Sequence, residues 1–267
     1  MVSRKLSNKK IFLLGIMITI VMVIVLSTNV KGEEIQSKTG YVNTKSNLRI
    51  RQEPSTKSKV IGHLKAGDLV EVQNEEEDFY QIIFEEDGQQ RIGFVYKQYV
   101  TITGKEGYEL ISAAVITSKN SSENRKFNMS LACEKLNGLV LEPGEQFDWY
   151  GENGVGKANK ANGFKEATVI QNRQYVKGYG GGVCQVSTAL YNCIYHLDIK
   201  PDEIHHHSLP SSYVVKGMDA TVAYPSKNFK FTNSKEYSLE FEAFADGEKV
   251  VILCFKEIEA DYWQSIL

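Results

Sequence analysis

Apolar residues change their spacing twice along the 267-residue chain, and each change marks a different kind of segment. From Ile11 to Leu26 they run without a charged break behind Arg4, Lys5, Lys9 and Lys10. A basic flank ahead of an apolar core has the form of an export signal, and the positive end stays in the cytoplasm. These 16 residues are slightly long for a cleaved signal and slightly short for a full span. Residues 1–32 are therefore expected to be a basic flank with a membrane anchor or signal segment, and residues 11–26 to meet the membrane. Val30-Lys31-Gly32 is a tolerable cleavage site. Either way the chain from about Glu33 onward is expected outside the cytoplasm, anchored or released.

Between residues 38 and 102 the pattern shortens to runs of strand length. These are Gly40–Val42, Leu48–Arg51, Val60–Leu64, Leu69–Val72, Phe79–Phe84 and Ile92–Val95. Pro54-Ser55, Ala66-Gly67-Asp68 and Asp87-Gly88 separate them as turn signals, which predicts a small all-β barrel. Glu75-Glu76-Glu77-Asp78 reads as a solvated hairpin tip. Residues 108–257 mix both periods. Ala113–Ile116 reads as a strand. A helix follows, with Asn120 or Ser121 as N-cap, Phe127, Leu131, Ala132 and Leu136 on one face, and Gly138 as its stop. A second helix carries Val186, Ala189, Leu190, Cys193 and Leu197 on one face, with Pro201 ending it. Tyr237–Ala245, Asp246-Gly247 and Lys249–Phe255 form a closing hairpin. The expected architecture is multidomain: a small all-β barrel, then an α+β domain with two helices on a mixed or antiparallel sheet.

Charge narrows the function classes. The formal net charge is −2, but five of the 31 Lys and Arg and none of the 33 Asp and Glu fall in the first 32 residues. The remaining body carries −7, which argues against a nucleic-acid binder. Four cysteines are too few and too scattered for a disulfide framework. Cys133, Cys193 and Cys254 stand at apolar, periodic positions and read as core fillers. Cys184 does not. A free exported thiol suggests a surface without strong disulfide formation, as in many Gram-positive bacteria.

Cys184 follows Gly180-Gly181-Gly182-Val183 and opens the second helix. A thiol on a first helical turn meets the positive end of the dipole and unpaired N–H groups, which favour the thiolate. The N–H groups of Cys184 and Gln185 suit an oxyanion, and the glycines allow a substrate backbone to come close. A buried structural cysteine remains the plainer alternative. His205, His206 and His207 follow, then Ser208. In an extended segment His205 and His207 share one face and His206 takes the other. An imidazole is the partner a thiol needs to pass its proton to a leaving amine; a solvated polar loop is the alternative. His205 and His207 with Cys184 or Cys193 offer zinc donors, yet neither C-x-x-C nor H-E-x-x-H occurs, so no metal and no cofactor are expected. The phosphate-loop lysine is also missing after the glycines.

Two resemblances sharpen these readings. Leu48-Arg49-Ile50-Arg51-Gln52-Glu53-Pro54-Ser55, Gly62-His63-Leu64-Lys65-Ala66-Gly67-Asp68 and Gly93-Phe94-Val95 resemble the bacterial SH3-type domain, with Phe94 where Trp is usual. Such domains commonly bind cell-wall peptide or glycan; a spacer that holds the next domain off the membrane is the alternative. Beyond it, Leu136-Asn137-Gly138, Leu141-Glu142-Pro143-Gly144-Glu145-Gln146-Phe147, Gly163-Phe164-Lys165-Glu166-Ala167, Gly180–Thr188, His207-Ser208-Leu209-Pro210 and Gly217-Met218-Asp219-Ala220-Thr221-Val222 resemble the VanW family. That resemblance implies cell-wall work through a cysteine L,D-transpeptidase, acting on donor and acceptor stem peptides of peptidoglycan. It implies Cys184 as nucleophile, His207 as base and Asp219 as a candidate orienter, while strand alternation leaves His205 as the alternative base. On the substrate side it implies Gly180, Gly181 and Gly182 lining the donor cleft, with Gln185, Ser208 and Tyr213 nearby. Ile204 stands where the family often has a basic residue. A carboxypeptidase or hydrolase using the same Cys and His, and a non-catalytic wall-binding protein, are the other readings. All proposed chemistry lies beyond Tyr108, so the first domain is expected to be dispensable for it.

Overall fold

The computed structural model describes residues 38–86, 88–171 and 173–258. The expected anchor at 11–26, the cleavage site and Asp87 lie outside them. Among the described residues no helix is long and apolar enough to cross a membrane.

The first domain is a single seven-stranded sheet, formed by β1 (Lys38–Val42), β2 (Leu48–Arg51), β3 (Val60–Leu64), β4 (Leu69–Glu76), β5 (Phe79–Glu86), β6 (Gln89–Tyr96) and β7 (Val100–Ile102). The strands pair in the order β3-β2-β6-β5-β4-β1-β7. Alternation decides what faces inward: in β4, Val70 and Val72 are buried while Leu69 and Glu71 are exposed. Ile50, Ile82, Val95 and Val100 complete that core. β7 is too short to show a period in sequence and is defined by its pairing with β1. The acidic run forms the β4–β5 turn, where Glu77 takes φ 46°. Glu75 there pairs with Lys38 at 3.0 Å and Lys97 at 3.1 Å.

The second domain contains β8 (Tyr108–Thr117), α1 (Glu123–Leu136), β9 (Leu139–Leu141), β10 (Gln146–Asp148), β11 (Glu166–Gln171), β12 (Gln174–Tyr179), α2 (Val183–Tyr195), β13 (Pro201–Glu203), β14 (Lys230–Thr232), β15 (Leu239–Asp246) and β16 (Lys249–Glu257). Its main sheet runs β8-β16-β15-β9, with every pairing antiparallel. One face carries both helices, α1 against β15 and α2 against β8 and β16. Ala114 and Ile116 of β8 and Val250, Ile252 and Cys254 of β16 point to that face.

The intervening residues of the same strands point the other way, and they are buried too. Leu110, Ala113, Val115, Val251, Leu253 and Phe255 form a second core with Tyr41 of β1 and the turn residue Ala66. Burial on both faces explains why β8 and β16 read as unbroken apolar runs rather than alternating ones. The first domain supplies the cover. Gly67 in its β3–β4 turn has φ +90°, and a Cβ there would stand 2.8 Å from the Ala113 carbonyl oxygen. Lys249 Nζ donates to Asn43 Oδ1 at 2.8 Å. The two folds are distinct in sequence but share a core, so the first domain also covers one face of the second domain's sheet.

Three local expectations also change. α1 is capped by Ser122, whose side chain accepts from the Arg125 N–H. Its buried face is Asn128, Met129, Ala132, Cys133 and Leu136, not the one built on Phe127. Phe127 is exposed beneath Lys165, 3.8 Å from ring centroid to Nζ. The reason is polar: Asn128 Oδ1 accepts from the Lys165 N–H (2.8 Å), and its Nδ2 donates to the carbonyls of Lys165 (2.9 Å) and Gly181 (3.0 Å). Finally, α2 ends at Tyr195, well before Pro201. Asp198, at φ 55°, turns the chain, and Pro201 opens β13.

Candidate active site

Gly182 caps α2 in the left-handed region at φ +111°, and a Cβ there would lie 2.9 Å from the Arg125 carbonyl oxygen. Angle and space both demand glycine. Gly181 is closed in by Ala167 and Thr168, and Gly180 by Ala158. All three are buried. They form a packed turn seating α2 against α1 and β11, rather than the open cleft lining expected of them.

Gln185 is fully buried. Its Nε2 donates to the carbonyls of Ile116 (3.1 Å) and Glu248 (3.0 Å), and its Oε1 accepts from Arg125 Nη2 at 3.2 Å. Its own N–H is taken by Gly182 O at 2.9 Å. The oxyanion donors expected at Cys184 and Gln185 therefore reduce to one. The Cys184 N–H has no hydrogen-bond acceptor among the described residues.

Beside the apolar face of α2 runs a polar stripe that hydrophobic periodicity alone does not reveal. Ser187 Oγ donates to Ala220 O (2.7 Å), Thr188 Oγ1 accepts from Ala220 N (3.0 Å), and Asn192 Nδ2 donates to Met218 O (2.8 Å). The Cys184 thiol donates to Val222 O at 3.5 Å. Residues 184, 187, 188 and 192 are spaced to share one side of a helix, and together they grip the segment 218–222. That segment carries Asp219.

Asp219 is 6% exposed. Its Oδ2 accepts from the His207 N–H and from His207 Nδ1, both at 2.7 Å. With Nδ1 holding the proton toward the carboxylate, Nε2 is left as the ring nitrogen able to accept a proton. His206 does not point away, as strand alternation predicts. This stretch is irregular, and His206 Nδ1 donates to Asp219 O at 2.8 Å. His205 turns its Nε2 to Glu203 Oε1 at 2.9 Å. Tyr213 packs edge-on against His207, ring centroids 6.4 Å apart. Ser208 is exposed, and Ile204 packs against the domain core.

Electrostatics follows from this packing. Burial works against a charged His207, but the hydrogen-bonding and charge contributions of Cys184 and then Asp219 outweigh it, and its pKa is raised. Burial pushes Asp219 up, yet the His207 N–H and ring outweigh it, and its pKa falls. Burial raises Tyr213 and Tyr150, with the Cys184 charge adding to both, so both stay neutral phenols. Tyr150 had no sequence signal as a site residue; only packing brings it near. Burial drives Cys133 and Cys193 up to about 12 and Cys254 well above the ordinary thiol value. Those three are inert core thiols. Cys184 is the half-buried one. Among the described residues no His, Cys, Asp or Glu cluster suited to a metal occurs.

Residues 124–255 match the family described as VanW like protein, and residues 46–101 match the bacterial SH3 domain. The chain carries a VanW-like domain preceded by a bacterial SH3 domain. It is 30% identical over 134 residues to vancomycin B-type resistance protein VanW of Enterococcus faecalis (strain ATCC 700802 / V583), covering 48% of this chain and 48% of that protein. It is 29% identical over 136 residues to the uncharacterized protein YoaR of Bacillus subtilis (strain 168), covering 51% of this chain and 44% of that protein. The chain thus spans under half the length of each relative. Cys184, His207, Asp219, Arg125 and the gripping stripe of α2 all lie inside the VanW-like domain.

Proposed function

We propose that this protein is a cell-wall acyltransferase, an L,D-transpeptidase that cross-links peptidoglycan stem peptides through Cys184. The observation that carries the reading is Asp219 Oδ2 2.7 Å from His207 Nδ1, with Cys184 near enough to help raise the pKa of that imidazole. A buried carboxylate, an oriented imidazole and a thiol on a first helical turn make a nucleophile with its base and orienter. The pairing of SH3 and VanW-like domains supports the cell wall as the place of work.

The steps balance on these groups. The Cys184 thiol passes its proton to His207, and the sulfur attacks the carbonyl carbon of the third, diamino acid residue. The Cys184 N–H faces the developing oxyanion. The C–N bond to the terminal D-Ala breaks as imidazolium returns the proton to the leaving amine. The thioester is then attacked by the side-chain amine of a neighbouring stem, which gives its proton to His207. The new amide links two diamino acids, and the thiol is restored. Water in place of the amine gives hydrolysis at the same site. The N-terminal segment would hold the enzyme at the outer face of the membrane or release it to the wall, and the SH3 domain would contact wall peptide or glycan.

The test is incubation of the protein with a disaccharide tetrapeptide, followed by mass spectrometry. Free D-Ala and a cross-linked dimer are expected, and both should vanish in Cys184→Ser. D-Ala without dimer would reassign the protein to a carboxypeptidase. Neither product from folded protein would overturn the reading.

A further inference from the structure

We propose that Arg125 receives the terminal carboxylate of the donor peptide beside Cys184. The peptide part of this rests on the acyl-transfer reading; the electrostatic part does not. Arg125 lies in the first turn of α1, where a cation opposes the helix dipole, so helix stability does not account for it. Internal ion pairing does not either. Among the described residues no carboxylate oxygen lies within 4.0 Å of its guanidinium. Glu248, whose backbone carbonyl holds Gln185, turns its carboxylate to the Ser121 N–H (2.7 Å) and Lys45 (4.0 Å) instead.

What holds Arg125 is the buried amide of Gln185, whose Nε2 is committed to two carbonyls, so that its oxygen has one direction left. The Arg125 carbonyl oxygen and Cγ also pack on Gly182, 2.9 and 3.0 Å from where a Cβ would stand. Arg125 therefore touches the residue two before Cys184 and the residue one after it. Tyr213, against His207, is within the influence of both Arg125 and Cys184. Gln185 occupies one of five guanidinium donors, and the remainder suit a planar carboxylate. The leaving residue of a stem peptide carries its carboxylate next to the scissile bond, so a donor seated on Cys184 brings that group to this turn.

Two measurements on the full-length chain test this. The first compares Cys184 alkylation by iodoacetate and by iodoacetamide, read by mass spectrometry. Arg125→Gln should lower the iodoacetate-to-iodoacetamide rate ratio about threefold, while Arg125→Lys keeps it. Added salt should lower the ratio in the unmodified protein. Lys157, an exposed cation 4.0 Å over the Tyr224 ring, provides the comparison, and Lys157→Gln should leave the ratio unchanged. A ratio untouched by Arg125→Gln, lowered equally by Lys157→Gln, or insensitive to salt in the unmodified protein would overturn the proposal; the last needs no variant to fold. The second compares tetrapeptides with free and amidated C-termini. Arg125→Gln should raise KM about tenfold for the free acid alone. Equal effects on both peptides would overturn it. Failure of the unmodified protein to turn over either peptide would count against the acyl-transfer reading and leave alkylation to judge Arg125.

Discussion

His207 is buried where an imidazole ordinarily loses its charge, and its neighbours Cys184 and Asp219 reverse that outcome. Because the folded pKa is raised, its stabilisation is fully present below the unfolded value and is lost as pH rises through the folded one. Asp219 is depressed, so its share is present above the unfolded value and is lost as pH falls through the folded one. The pair contributes most between roughly pH 4 and 6.5, and Asp219→Asn should flatten stability across that window in chemical denaturation. In Cys184→Ser the His207 imidazole should titrate at lower pH by NMR; an unchanged titration would separate the two groups. His207→Gln should slow acylation by about 10²–10⁴-fold, and His205→Gln far less. The reverse order would move the base to His205. At this scale the sequence was informative about chemistry. Cys184 stood out by its glycines and His207 by its motif, while the role of Arg125 was invisible because it depends on Gln185 from another helix.

α2 does two jobs with two sides. Val186, Ala189, Leu190 and Cys193 anchor it in the core, while Ser187, Thr188 and Asn192 hold the irregular segment that carries Asp219. Thr188→Val keeps the shape but strands the buried Ala220 N–H, at a cost of about 1–3 kcal/mol. Thermal denaturation should show that loss, and acylation should slow because Asp219 is less firmly held. Lost stability with full activity would make the stripe purely structural. Hydrophobic period made both helices legible. It misjudged the face of α1, where Asn128 takes an inner position through three hydrogen bonds, and it placed the end of α2 too late, since Leu197 is buried beyond the helix.

The two domains were readable separately because turn signals and motifs are local, whereas their shared core is not. Only the lack of alternation in β8 and β16 hinted that something covers their far face. A chain beginning near Gly104 would expose Leu110, Ala113, Val115, Val251, Leu253 and Phe255 to water. It should unfold at lower temperature or aggregate, and calorimetry of the intact chain should show one transition for both domains. A stable, active truncated protein would mean that the shared core adds nothing.

The central claim concerns a covalent bond, and the intact mass of the protein reports on it directly. Acid-quenched reaction with the tetrapeptide should leave the protein heavier by the donor less D-Ala, with the adduct mapped to Cys184 and absent from Cys184→Ser. A folded protein that releases D-Ala with no such adduct, or with the adduct on another residue, would contradict the account.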